Sequence, residues 1–297
     1  MNVHSLEFQK TLACYYRMYM ADPAELARTG ANVRAQRALA EVLEDLWIKE
    51  EVAAIDLDAL PERKSDFLDW YQARERSINV DISEFIDFLQ DEATLEQIAY
   101  YICMEEMVDG SFDDLMALVQ VGMPLRQKMT AGANYWDELG NGDLGLVHTA
   151  MFRTSSGYLR QCLESRSIAI CEPTAACLMN GNILLMMATR RDYNLRLVGA
   201  IGLVEGSAPK RFSATTKAMQ RLKLPPEVVE YHKAHISIDT RHSKDWFDNV
   251  LIEYARRGKR VIRELSLGVE LRYRIALGYY ESMLRDMNHL FDAKVVA

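Results

Sequence analysis

Residues 231–242 read YHKAHISIDTRH, and the way this stretch folds decides what the chain can be. At about 100° per residue on an α-helix, Asp239 lies about 40° and His242 about 20° from the azimuth of His235. One helical face would thus present imidazole, carboxylate and imidazole over two turns, a chelating array. A merely solvated face would more naturally carry Glu, Lys and Arg. The chain has only six histidines in 297 residues, and three of them fall here. His232, one turn earlier, is read as a supporting or surface residue.

The helical reading extends outward in both directions. Ala38, Val42, Leu46 and Trp47 step at helical intervals through a segment rich in Ala, Glu and Leu, as do Ile98, Tyr101 and Ile102. Ser83 reads as a capped helix start, and Pro173, Pro209 and Pro225-Pro226 as punctuation at helix starts. Asp109-Gly110 and Asn180-Gly181 read as turns between helices, because no alternating β-branched residues flank them. The expected fold is therefore all-α. The most polar, Pro-containing stretch, 54–82, suggests an N-terminal helical extension (1–90) ahead of a core (91–297).

Composition narrows the function. Lys and Arg number 35 against 43 Asp and Glu, a formal charge of −8 that argues against a nucleic-acid partner. Apolar runs such as Ile183 to Ala188 are far short of the roughly 20 residues that span a bilayer. With no basic-then-apolar start either, the cytoplasm is the expected compartment and no membrane partner is expected. Five cysteines (Cys14, Cys103, Cys162, Cys171, Cys177) without a CxxC spacing fit reduced core thiols. Gly140-Asn-Gly142-Asp-Leu-Gly145 matches a dinucleotide fingerprint in letters only, since Asp137 and Glu138 precede it where a buried strand should be. No P-loop, GxSxG or HExxH occurs.

Three ligands on one helix cannot complete a coordination sphere, so other helices must contribute. Glu138 and His148 are the best donors: an unbroken helix would set them about 80° apart in azimuth. Gly140 and Gly142, each costing roughly 1 kcal/mol inside a helix, make sense if the backbone unwinds there and lets both reach one centre. Glu205 ends an apolar run (Gly199-Ala-Ile-Gly-Leu-Val-Glu205), and a carboxylate buried there needs a partner. Glu105 shares the stripe of Ile98, Tyr101 and Ile102 and is preferred to the adjacent Glu106. Arg211 and Arg241, close in sequence to these residues, are candidates for pairing with a substrate carboxylate.

Taken together these segments resemble the haem-oxygenase-like diiron oxidases and oxygenases, helical iron enzymes of bacterial metabolism. The resemblance covers roughly residues 95 to 285. It rests on Glu105-x6-Phe112, Tyr135-Trp-Asp-Glu138 followed by Val147-His148-Thr149, Gly199-Ala-Ile-Gly-Leu-Val-Glu205 followed by Ala208-Pro209-x-Arg211, and His235-x3-Asp239-x2-His242 followed by Trp246. It implies an all-α haem-oxygenase-like bundle in which Glu138, His148, Glu205, His235, Asp239 and His242 hold two Fe²⁺ ions. Glu105 would be the seventh ligand that nitrogen-oxygenating members offer. Four carboxylates and three neutral imidazoles would balance two Fe²⁺ ions in charge, and the absence of thiolates argues against a structural zinc site.

The resemblance further implies O2 as cosubstrate, a small-molecule substrate, an electron donor or reductase, and a homodimer. The expected reaction is N-oxygenation of an amine or amino-acid-like molecule in specialised biosynthesis. The alternative is oxidative C–C cleavage or decarboxylation of an amino or fatty acid, which six ligands would serve as well. A haem-binding or metal-free member of the fold is the remaining rival, against which the acidic cluster speaks.

Overall fold

A computed structural model describes residues 2–30, 32–169 and 172–290. Among them there is no strand, and fourteen α-helices follow one another: α1 (Leu6–Tyr19), α2 (Pro23–Thr29), α3 (Val33–Ala53), α4 (Lys64–Asp81), α5 (Ser83–Asp91), α6 (Leu95–Asp109), α7 (Phe112–Val119), α8 (Leu125–Glu138), α9 (His148–Ser165), α10 (Ala175–Thr189), α11 (Asn194–Arg221), α12 (Pro226–Trp246), α13 (Ile252–Ala255) and α14 (Lys259–Leu290). The chain is all-α, as its periodicity predicts. None of these helices is long and apolar enough to cross a membrane.

α11 is the central element, lying along α12 on one side and α14 on the other, while α9 packs on α6 and α12. Its first half, Leu197 to Glu205, is buried all round. The N-terminal helices join the same core: α1 packs on α10 and α4 on α14, and Tyr16, Trp47, Phe67 and Tyr71 belong to one apolar cluster with Trp246 and Tyr279. Thr94 starts α6 with a reciprocal capping box, its hydroxyl accepting from the Gln97 amide and the Gln97 side chain accepting from the Thr94 amide.

The structure corrects several local readings. On α3 the buried stripe is Ala40, Leu43, Trp47 and Ile48, and Val42 and Leu46 face solvent. Both faces of that helix carry apolar residues, and packing against α1 selects between them. Asn180-Gly181 lies inside α10 rather than at a turn. Gly181 is needed there because a Cβ would stand 2.2 Å from the Met107 carbonyl oxygen of α6. Ser83 is the first residue of α5 and makes no capping hydrogen bond. Pro209 sits within α11 rather than at a helix start. Having no N–H, it cannot complete the helical hydrogen bond to the carbonyl of Glu205. Pro226 does open α12, and Thr174 after Pro173 caps α10. Of the cysteines, Cys103 and Cys177 are buried and free, Cys162 is half-buried, and Cys14 is exposed rather than core; Cys171 lies outside the described residues.

Candidate metal centre

The unwinding expected between Glu138 and His148 is present. α8 ends on Glu138, two 3-10 turns cover Gly140–Gly142 and Leu144–Leu146, and α9 begins on His148. Gly140 has φ +62°, and a Cβ on it would lie 2.5 Å from the backbone of Leu146, so the reversal admits only glycine at that point. The turn brings the two side chains together: His148 Nδ1 and Glu138 Oε2 are 2.8 Å apart, both buried.

Six side chains from four helices converge. Glu138, His148 and His235 form one group, and Glu205, Asp239 and His242 a second. Within each group one potential ligand atom per residue lies within 4.8 Å of the others. All six are buried, with exposures of 2–5%. The second group comes from α11 and α12, and the first from α8, α9 and α12. His235 and Asp239, one turn apart on α12, thus serve different groups. The rings of His148 and His235 are 4.3 Å apart. Trp246, just past the stripe, donates from Nε1 to the Val198 carbonyl at 3.0 Å and ties the end of α12 to α11.

Supporting contacts orient the set. The carbonyl of Tyr231 accepts from His235 Nδ1 at 2.7 Å, leaving Nε2 to face the centre. Asn134, one turn before Glu138, donates from Nδ2 to Glu205 Oε1 at 2.8 Å. Asp137 Oδ2 meets His242 Nε2 at 3.0 Å, while His242 Nδ1 lies 3.6 Å from Glu205 Oε2. No sequence pattern marks Asn134 or Asp137 as a supporting residue. Their signal was position alone, the same helix end as Glu138.

Burial and close charge neighbours perturb the titratable groups of the cluster. Burial raises the Glu138 carboxyl above its ordinary range, against the opposing hydrogen bond from His148. His235 is held well below the usual imidazole value, first by burial and then by the neighbouring His148. Burial also opposes charge on His242, but Glu205 and Asp137 outweigh it and raise the ring to about 9. His232, fully buried between Phe152 and Phe212, is lowered to about 3 by burial and then by Arg211. It is therefore a neutral core residue rather than a surface one.

Glu105 does not join either group. It is 2% exposed, and its Oε2 accepts from Arg211 Nη1 at 2.7 Å, the same nitrogen that meets Tyr101 Oη at 3.0 Å. The adjacent Glu106 points elsewhere and pairs with Arg160 at 2.8 Å. Arg211 lines a small cavity with Glu138, Glu205, His235 and Asp239, walled by Phe112, Val204, Ala208, Phe212 and Tyr231. Its volume of about 20 Å³ suits one water molecule. Arg241 lies outside it, on an open groove of about 490 Å³ with Trp136 and His242, paired with Asp137 at 2.5 Å.

The donor set fits two divalent ions. Three carboxylates and three imidazoles in mixed groups suit iron or manganese, and no thiolate is among them. His242 Nδ1 is buried without a hydrogen-bond partner, as a vacant ligand atom would be. Two divalent ions would neutralise the three carboxylates and leave a small positive excess.

Comparison with known structures defines the class first. A domain from Shewanella denitrificans with a heme oxygenase-like fold superposes with a TM-score of 0.54 at 16% identity, covering 81% of this chain and 96% of that one. A CADD-like protein of Nostoc punctiforme gives 0.55 at 13% identity, covering 76% and 98%. At such identities the likeness establishes the fold: this is a haem-oxygenase-like helical protein. Residues 99–276 match the family of iron-containing redox enzymes, and the chain belongs to that family. No curated protein matches it in sequence.

Proposed function

We propose that the chain is an O2-dependent, non-haem diiron oxidoreductase acting on a small molecule, either by N-oxygenation of an amine or amino-acid-like substrate or by oxidative cleavage or decarboxylation of an amino or fatty acid. The observation that carries this reading is the pair of buried mixed groups, Glu138/His148/His235 and Glu205/Asp239/His242, both drawing ligands from α12. Each would hold one Fe²⁺, and bound iron would supply the redox chemistry for O2 activation. The remaining work belongs to the protein. Phe112, Val204, Ala208 and Phe212 keep bulk water from the donors. The carbonyl of Tyr231 keeps the proton of His235 on Nδ1. Arg211, held by Glu105 and Tyr101, lends the cavity a polar wall. Three carboxylates among the six donors weigh against the haem-binding rival, which needs only an axial ligand.

One observation favours the second reading, oxidative cleavage or decarboxylation of an amino or fatty acid. With Glu105 engaged by Arg211, the centre has six donors, and the extra carboxylate expected for N-oxygenation is committed elsewhere. Both readings require a small-molecule substrate and an external electron donor.

The test is metal content and optical spectrum of protein purified anaerobically, loaded with Fe²⁺ and mixed with O2, beside His235→Ala. Two irons per chain and a transient visible band, both lost in the variant, are the expected result. Absence of iron binding, or a Soret band, would overturn the proposal. Product analysis with amine and amino-acid substrates then separates the two reactions.

A further inference from the structure

Asp137 belongs to none of the ligand groups, yet it holds more of the centre's edge than any other residue outside them. Its Oδ2 meets His242 Nε2 at 3.0 Å and Arg241 Nη2 at 2.5 Å, and its Oδ1 accepts from Asn141 Nδ2 at 3.0 Å. Arg241 Nη2 and Asn141 Nδ2 both donate to the Asp137 carboxylate, so it is placed as an acceptor and the hydrogen on the axis to His242 belongs to the imidazole.

The two histidines of α12 are consequently oriented in opposite senses. His235 gives its Nδ1 hydrogen to the Tyr231 carbonyl and turns Nε2 inward. His242 has Nε2 turned outward to Asp137, and its Nδ1, buried and without a hydrogen-bond partner, is the nitrogen that faces Glu205. Seven residues apart on one helix, two rings of the same type reach the centre through different nitrogens, because a main-chain carbonyl sets one and a carboxylate from α8 sets the other.

We propose that Asp137 is the positioning residue of the second ligand group: by accepting the Nε2 hydrogen of His242 it commits that ring to bind metal through Nδ1. Asp137 does so from the helix end that also delivers Asn134 to Glu205 and Glu138 to the first group. Rotation of α8 would therefore disturb both groups together. Arg241 acts through Asp137, fixing the carboxylate at the floor of the open groove; this places its role in holding the centre rather than in binding substrate. The inference rests on the metal-centre reading above and adds to it the ligating atom and the residue that selects it.

Binding of Zn²⁺, a diamagnetic probe, to the full-length protein labelled with ¹⁵N-histidine tests this, with Asp137→Ala and Asp137→Asn beside the parent. In the parent, His242 is expected to show a metal-bound Nδ1 and a slowly exchanging Nε2–H, and His235 the reverse. Asp137→Ala is expected to lose the slow Nε2–H and to bind the second metal equivalent about 10–100-fold more weakly, the usual cost of deleting a residue that orients a ligand. Asp137→Asn, which retains an accepting oxygen, should fall between. Circular dichroism separates these effects from a folding defect. Coordination of His242 through Nε2 in the parent, or unchanged affinity in a folded Asp137→Ala protein, would overturn this inference and leave the metal centre standing. A parent that binds no metal would overturn both.

Discussion

The pair Glu105–Arg211 offers a measurement in which a structural role and a ligand role predict different numbers. Both side chains are buried, at 2% and 6% exposure, and meet at 2.7 Å across 106 positions of sequence. Glu105→Gln keeps the shape and removes the charge, so Arg211 loses an ionic partner in a place water does not reach. Breaking a buried pair from one side costs about 3–5 kcal/mol, because the surviving charge is left uncompensated. Arg211→Met should cost a similar amount from the other side. The double variant Glu105→Gln/Arg211→Met leaves neither charge, and its cost should fall well below the sum of the singles, a coupling of about 2–3 kcal/mol. Longer chains melt over a range where 1 kcal/mol moves the midpoint by roughly 2–4 °C, so each single variant should melt on the order of 10 °C lower. Thermal melts of the three variants, with Fe²⁺ stoichiometry measured anaerobically on each, complete the experiment. The ion-pair reasoning expects two irons per chain to survive in Glu105→Gln. Additive single costs within about 0.5 kcal/mol would refute it. Loss of iron in Glu105→Gln with retention in Arg211→Met would return Glu105 to the ligand set and restore the support for N-oxygenation.

Two further outcomes follow from the geometry. His232 has a folded-state value of about 3 against 6.5 for a free imidazole, so below pH 6.5 the unfolded chain takes up a proton that the folded chain refuses. Stability should fall by about 1.4 kcal/mol per pH unit as pH drops from 6.5 toward 3, and be unaffected by this group above 6.5. Urea unfolding of His232→Leu should therefore lose about 2 kcal/mol less than the parent between pH 7 and pH 5, and an identical acid slope would count against a buried neutral ring. Gly140→Ala places a Cβ 2.5 Å from the Leu146 backbone at a φ of +62°, which forces the reversal between α8 and α9 apart. Metal titration should then show the Glu138/His148/His235 group weakened at least tenfold and the Glu205/Asp239/His242 group, which α8 supports only through Asn134 and Asp137, weakened less, and equal loss at both would show the two groups to be one unit.

Much of the centre was legible because its signals are local. The stripe His235, Asp239, His242 needs only helical periodicity, and all three side chains face the donors. Glu205 could be singled out because four apolar residues precede it, and Glu138 and His148 because the intervening glycines are costly in a helix. Glu105 was placed on the right face of α6, beside Tyr101, but its partner is Arg211, more than a hundred residues away, and no local pattern marks that choice. Asp137 escaped for the same reason: its neighbour in sequence is a ligand, but its own partner, His242, lies 105 positions on.

Helicity, a chelating stripe on one helix, and the carboxylates and histidines suited to join it are all legible in local sequence. Those properties depend on propensity, period and burial, which act over one or two turns. Tertiary structure decided which apolar face of α3 is buried, that Gly181 is a crossing rather than a turn, that Arg211 meets Glu105, and which nitrogen each histidine turns inward. Each depends on which atoms a distant helix places a few ångströms away, and that distance is set by packing of the whole core around α11.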